Sequence, residues 1–290
     1  MLPTVDFCFK ELMLNPKVRQ GFIAALLGKK PEEIQETSLL PTILHRNSPS
    51  DKQGVLDVLV QMKDGTQLDL EMQVAYFTYW KNRILFYLGK IYTDQLHEGE
   101  PYDNLKKCIH VSILDFIHFS DDKDCYRKIH LRDDKTGELY TDLLEIQILE
   151  LKKLSPDIQT GQDIISWMQF FSRKNRKEFS EMAKTNEYFD EAYQELLHLS
   201  ADEQKRLEYE ARQKALRDYN SQVKGYREMG LKEGLEQGIK QGIKQGIEQG
   251  IEQGIELGRQ IFKLHMQGKQ PEEIAKSCSL PLEQVLKVLS

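Results

Sequence analysis

With 290 residues, 40% of them hydrophobic, the chain can bury one full core of about 100–200 residues and still carry a smaller appendage. Forty basic against 46 acidic residues leave a net charge of −6, which excludes a global positive field that recruits nucleic acid; such contacts must be local, and Lys106-Lys107, Lys152-Lys153 and Arg173-Lys-Asn-Arg-Lys177 are the basic clusters available. The cysteines Cys8, Cys108, Cys125 and Cys278 lack zinc spacing, no apolar run reaches the ~18 residues of a membrane span, and the start has no basic-then-apolar leader, so the sequence predicts a soluble cytoplasmic protein with reduced thiols.

At the N-terminus, Pro16 stands at a natural helix start, Val18, Phe22, Ile23, Leu26 and Leu27 recur at helical spacing, and Gly28 supplies a stop. This helix is expected to lean on a sheet. Residues 54–73 then read as a hairpin in which Leu56, Val58, Val60 and Met62 share one face of the first strand, and Leu68, Leu70, Met72 and Val74 one face of the second. Asp57, Asp69 and Glu71 fall on the opposite, non-core faces. A two-residue Asp64-Gly65 loop would set Asp57 against Met72 and mix polar with apolar on both faces. A three-residue Lys63-Asp64-Gly65 loop, with Gly65 left-handed, pairs Met62 with Thr66 and hence Asp57 with Glu71.

Directly opposed residues of an antiparallel pair have Cα atoms about 4.5–5.5 Å apart, where two carboxylates repel unless positive charge lies between them. A divalent cation would supply that charge. Mg²⁺ prefers carboxylate oxygens, is often held by only one or two of them, and leaves other positions for water and phosphate, which suits phosphodiester hydrolysis. An ordinary solvated strand face carries the same residue types, so spacing alone leaves both readings open, and Asp69 fits either.

A helix is predicted next, from about residue 76 to 96. It places Arg83, Tyr87 and Lys90 at i, i+4 and i+7 on one face, where Arg83 or Lys90 could reach a phosphate; the alternative is the wet face of a surface helix. Residues 108–117 read as a buried central strand and 142–150 as another, with turn chemistry at 120–124 and 132–137 between them. From 161 to 219 the pattern is helical and charged, with Trp167, Phe170 and Phe171 as packing anchors. This order of elements predicts an α/β core with a mixed central sheet flanked by helices, followed by a helical C-terminal extension.

The order Asp57, short hairpin, Glu71-Met72-Gln73 resembles the PD-(D/E)XK nuclease superfamily, specifically its branch of recombination-promoting nucleases and transposases. Asp6-Phe-Cys-Phe-Lys10, Arg83-Ile-Leu-Phe-Tyr87 with Tyr92 and Gln95, Gly99-Glu-Pro-Tyr102 and Glu150-Leu-Lys152 are similar to the same branch, so the likeness extends over residues 1–180. The resemblance implies a restriction-endonuclease-like core and a DNA endonuclease acting in recombination or transposition. It also implies Asp57 and Glu71 as ligands of Mg²⁺, with Mn²⁺ as a substitute. The superfamily has a lysine two residues after the glutamate, which orients water and offsets charge; here that place is Gln73. Glutamine hydrogen-bonds a water or a phosphate oxygen but brings no charge, and Glu-x-Gln is the form typical of this branch.

Glycines at 230, 234, 238, 242, 246, 250, 254 and 258 recur every fourth residue, each followed by Leu or Ile except the last. Each costs an exposed helix ~1 kcal/mol relative to Ala, so a lone helix is not expected here without a partner. The stripe drifts about 40° per repeat, which predicts a right-handed wrap or a broken helix. Homodimerisation through the stripe and a flexible, partly helical linker both fit. Ile261, Leu264 and Met266 are expected to close a short helix before Gly268, and residues 271–278 and 281–289 form two more with prolines in their first turns. That arrangement resembles a helix-turn-helix, although Glu283, Gln284 and Lys287 offer few cations; a DNA reader and a small helical cap are the alternatives. The predicted organisation is a nuclease-like domain at 1–180, a helical connector at 181–229, the repeat at 230–260 and the cap at 261–290.

Two function classes follow. One is a Mg²⁺-dependent DNA endonuclease with Asp57, Glu71 and Gln73 as its catalytic residues. The other is a non-catalytic scaffold that keeps the nuclease fold, binds DNA or a protein partner, and assembles through the repeat. The seven histidines form no Ser/His/Asp or Cys/His signature, and no phosphate-binding Gly-rich loop with Lys-Ser/Thr is present.

Overall fold

Asn15 sets the N-terminal layer by capping. Its side-chain oxygen accepts from the amides of Lys17 and Val18 at 3.0 and 3.2 Å, which ends α1 (Asp6–Leu14) and starts α2 (Pro16–Leu27). Gly28, at φ 65°, closes α2 in the left-handed conformation, as predicted. The computed structural model describes all residues except 46, 47, 49, 51, 77 and 156–162. The chain divides into two compact units, Met1–Asp218 and Tyr219–Ser290.

The first unit is built on a six-stranded mixed sheet: β1 (Thr37–Leu40), β2 (Val58–Met62), β3 (Gln67–Gln73), β4 (Cys108–Leu114), β5 (Tyr126–Arg132) and β6 (Leu139–Glu150), in the order β1-β2-β3-β4-β6-β5. β3, β4 and β6 run parallel, and the outer pairings are antiparallel. β4 is buried along its whole length, as its apolar density predicts, but it ends at Leu114 rather than 117. The edge strands β1 and β5 were not legible, because both are mostly wet and take their structure from ladder pairing with a neighbour.

One face of the sheet packs on α1, α2, α4 (Asp163–Ser172) and α6 (Glu187–Ala201). Trp167, Phe170 and Phe171 are the anchors expected of them: Phe171 meets Phe9 and Phe22 edge-on at 5.7 and 5.2 Å, and Phe170 stacks on Phe189 at 5.6 Å. Gly161 lies outside the described residues. α5 (Arg176–Ala183) completes this layer through Phe179.

The opposite face is covered by α3, which spans Trp80–Thr93 and is shorter than the predicted 76–96. Before it, Tyr76 lies outside any helix, with its ring engaged by Phe116 and His118 at 5.8 and 5.9 Å. α3 rests on two apolar groups, one of Leu59, Leu88, Ile91 and Cys108, the other of Trp80, Ile84, Leu114 and Ile148. Leu56, expected on the core face with Val58 and Val60, joins the first of these groups, because it precedes the regular strand and escapes its alternation.

The second unit begins within α7, a single helix from Glu203 to Met266. Of the two outcomes expected of the stripe, a right-handed wrap or a broken helix, the break is absent, and Ile261, Leu264 and Met266 end this long helix instead of forming a short one. The intervening Lys, Glu, Gln, Leu and Ile are adequate helix formers, and one nucleation event serves many turns. α8 (Pro271–Cys278) and α9 (Leu282–Leu289) follow, with Ile261, Ile274, Ala275 and Val285 as their small core. Pro281 caps α9 from just outside it, whereas Pro271 occupies the first turn of α8. No described helix is long and apolar enough to cross a membrane.

Candidate active site

The hairpin adopts the three-residue-loop register. Val58 faces Leu70 and Val60 faces Leu68, the Met62 amide donates to Thr66 at 2.8 Å, and Gly65 sits at φ 87°. The last pair of this ladder is Val58 with Leu70, so Asp57 sits one residue before β2, outside the regular pairing that was expected to set it opposite Glu71. One Asp57 oxygen, Oδ2, accepts from the Met72 amide at 3.2 Å, so its carboxylate is tied to the strand that carries Glu71.

The face carrying these acids is not solvated. Glu71 and Asp69 are 2% and 1% exposed, and with His110 and Ser112 they form a buried polar band between the two apolar groups under α3. The parallel register of β3 with β4 puts Asp69 level with His110 and Glu71 level with Ser112. His110 bridges Asp69 Oδ2 and Ser112 Oγ, both at 2.7 Å. Burial alone would lower the His110 pKa, but the Asp69 carboxylate reverses this and raises it. The other Asp69 oxygen, Oδ1, is buried without a hydrogen-bond partner.

Burial pushes the Glu71 carboxyl up to about 7, with Asp69 and Asp57 adding repulsion against His110 and Arg83. Asp57 is raised as well, since burial outweighs the opposing pull of Lys10 and the Met72 amide. Two cations attend the pair. The Arg83 guanidinium lies 2.9 Å from Glu71 Oε2 and 5.6 Å from the Tyr87 ring centre, and the Lys10 ammonium lies 3.1 Å from Asp57 Oδ1. Gln73 donates to Glu71 Oε2 at 3.3 Å.

The structure therefore gathers Asp57, Glu71, Gln73, Arg83 and Tyr87 into one neighbourhood. Lys90, a turn beyond Tyr87, pairs with Asp94 at 3.9 Å. Lys10 and His110 escaped the sequence reading as members of this site. The signal for His110 was a His-x-Ser alternation inside an otherwise apolar buried strand; for Lys10 only its distance in sequence hid it. Ion pairs take up charge in two of the basic clusters, where Lys107 pairs with Glu145 at 2.6 Å, Lys152 with Asp115 at 2.8 Å and Lys153 with Glu150 at 2.9 Å; in the third, Arg173 and Arg176 donate to neutral groups, the Met182 sulfur and the Tyr193 hydroxyl. Among the described residues, no three His, Cys, Asp or Glu side chains gather as a metal cluster.

Residues 3–225 match the family described as PD-(D/E)XK nuclease family transposase. The chain belongs to that family, and the mixed sheet with flanking helices is consistent with its fold. Searches of curated proteins and of solved structures return no match.

Proposed function

We propose that this PD-(D/E)XK nuclease-family protein is a Mg²⁺-dependent DNA endonuclease, with Mn²⁺ able to substitute. Asp57 and Glu71 hold the metal, Gln73 orients the attacking water or a phosphate oxygen, and Lys10 and Arg83 supply the positive charge that glutamine lacks. The observation that carries this reading is a half-buried Asp57, bonded through its carboxylate to the strand that carries the buried Glu71, with burial pushing both carboxyls up. Such an arrangement is unfavourable without added cationic charge, and an unpartnered Asp69 oxygen beside it deepens the negative potential.

The donor set fits a hard divalent ion, for which two carboxylates plus water and substrate oxygens suffice. Bound there, the ion would polarise the phosphoryl oxygen and make its water more acidic. The protein's own groups do the rest. Arg83, braced by the Tyr87 ring, presents a planar fork suited to phosphate oxygens. Lys10, with 37% of its side chain exposed, can turn from Asp57 toward a phosphate at the surface. The His110–Asp69 pair keeps the floor of the site in one hydrogen-bonded arrangement.

Nicking of supercoiled plasmid in Mg²⁺ or Mn²⁺ tests the proposal. Wild type should cleave, and Asp57→Ala and Glu71→Ala should each lose cleavage; equal nicking by all three rejects the site. The scaffold reading draws on the fact that Lys10 and Arg83 already pair with both acids. Metal-independent DNA binding with no cleavage by any of the three would favour it.

A further inference from the structure

From Leu231 to Ile255, every fourth residue of α7 is leucine or isoleucine, and each of these side chains is 52–77% exposed. Isolated apolar side chains are ordinary on a surface, whereas an unbroken row of them marks an interaction face. The two flanks of this row differ. Glycine precedes each member, and none of the repeat glycines has a neighbour within 4 Å of where a Cβ would stand. A charged residue follows every member: Lys232 and Glu236 at the start, Lys240 and Lys244 in the middle, then Glu248, Glu252 and Glu256.

We propose that this Leu/Ile face packs antiparallel against the same face of a second copy of the chain. Antiparallel pairing of identical helices turns like flanks toward each other. Glycine flank then meets glycine flank, which lets the backbones approach, and charged flank meets charged flank. With the crossing at Gly246, Lys240 stands level with Glu252 of the partner subunit and Lys244 with Glu248 of the partner subunit, and symmetry repeats both pairs. Parallel pairing turns each charged flank toward a glycine flank and leaves the charges unmatched. Both orientations bury the apolar row, so charge selects the direction.

Within one copy, Lys244 and Glu248 approach to 3.9 Å while staying 77% and 64% exposed. A pair that wet contributes little, so both groups are available to a partner. The row precesses about 40° per repeat, which confines contact between straight helices to three or four repeats around the crossing. Ile239, Ile243, Ile247 and Ile251 are the residues that fall there.

Sedimentation of the full chain across concentration should show a dimer. Lys240→Glu with Lys244→Glu should weaken it by at least about tenfold, and adding Glu248→Lys with Glu252→Lys should restore it. A spin label on Gln237→Cys should lie about 27–30 Å from its counterpart, given 1.5 Å of rise per residue on either side of Gly246. A monomer at every concentration, a dimer indifferent to both charge changes, or labels in near contact as in a parallel pair would each overturn the proposal.

Discussion

Glu71 carries the tension of the site. Its carboxyl is pushed up to about 7 by burial, then by the neighbouring Asp69, from an ordinary value of 4.5. Between those two values the folded protein keeps a proton that the unfolded chain has released. The stabilisation from that proton is complete below about pH 4.5 and is lost as pH rises through about 7. Glu71→Gln removes the titration. Without divalent metal, the variant should therefore be more stable than wild type at pH 8 by about 1–3 kcal/mol, and converge with it near pH 4.5. The loss of the Arg83 partner trims the gain. Thermal melts across pH measure this, and a wild-type advantage that grows with pH would refute it. Mg²⁺ should raise the wild-type melting temperature at pH 8 and leave the Glu71→Gln variant unmoved. Lys10 makes a separate prediction: Lys10→Ala should lower cleavage by roughly 10²–10³-fold, the scale of losing one preorganised charge stabiliser. Adding Gln73→Lys to that variant should recover part of the rate. An unchanged rate in Lys10→Ala would remove Lys10 from the proposed chemistry.

At the scale of elements, α2 meets α6 at a point with no spare room. A Cβ on Gly21 would come within 2.7–2.8 Å of Cγ, Cβ and Cδ1 of Tyr188, atoms close to the backbone that cannot swing away. Gly21→Ala should therefore destabilise by about 1–3 kcal/mol despite its better helix propensity. In a double-mutant cycle, Tyr188→Ala should relieve most of that loss; additive effects in urea melts would contradict the clash. Gly21 shows why some packing stayed hidden in the sequence. A small residue on a helix signals close approach only when the opposing residue is known, and Tyr188 is far along the chain. The hairpin was legible because its loop, its alternation and its acids are consecutive, so one register satisfied all of them. The burial of Glu71 was not legible, since it depends on α3 folding back over β3 and β4. β5 was missed for a related reason: its side chains alternate poorly, and its pairing with β6 supplies the structure. Lys10 came last because it reaches Asp57 from α1, which no local pattern reveals.

At the scale of the whole molecule, the two units differ in what holds them together. The first has a core closed by both helical layers around the sheet. The second has a small cluster around Ile261, Ile274 and Val285, and a long exposed helix whose repeat glycines touch nothing within 4 Å. In the dissociated chain, that helix is held chiefly by its own backbone hydrogen bonds, so local opening near the repeat should take far less free energy than opening β4. Replacing Gly238, Gly242, Gly246 and Gly250 with Ala tests this. Each substitution favours the helix by ~1 kcal/mol, with no steric penalty in a single copy. Amide hydrogen exchange across residues 230–258, measured at a concentration where the chain is dissociated, should slow by roughly tenfold or more, since 1.4 kcal/mol in opening free energy is a factor of about ten. Exchange in β4 and plasmid nicking should stay as in wild type. In the associated chain the gain should shrink, because added methyl groups on the glycine flank hold two helices apart. A variant whose repeat exchanges no more slowly than wild type even when dissociated would mean that the glycines already sit in a packed environment, and that the helix does not stand alone.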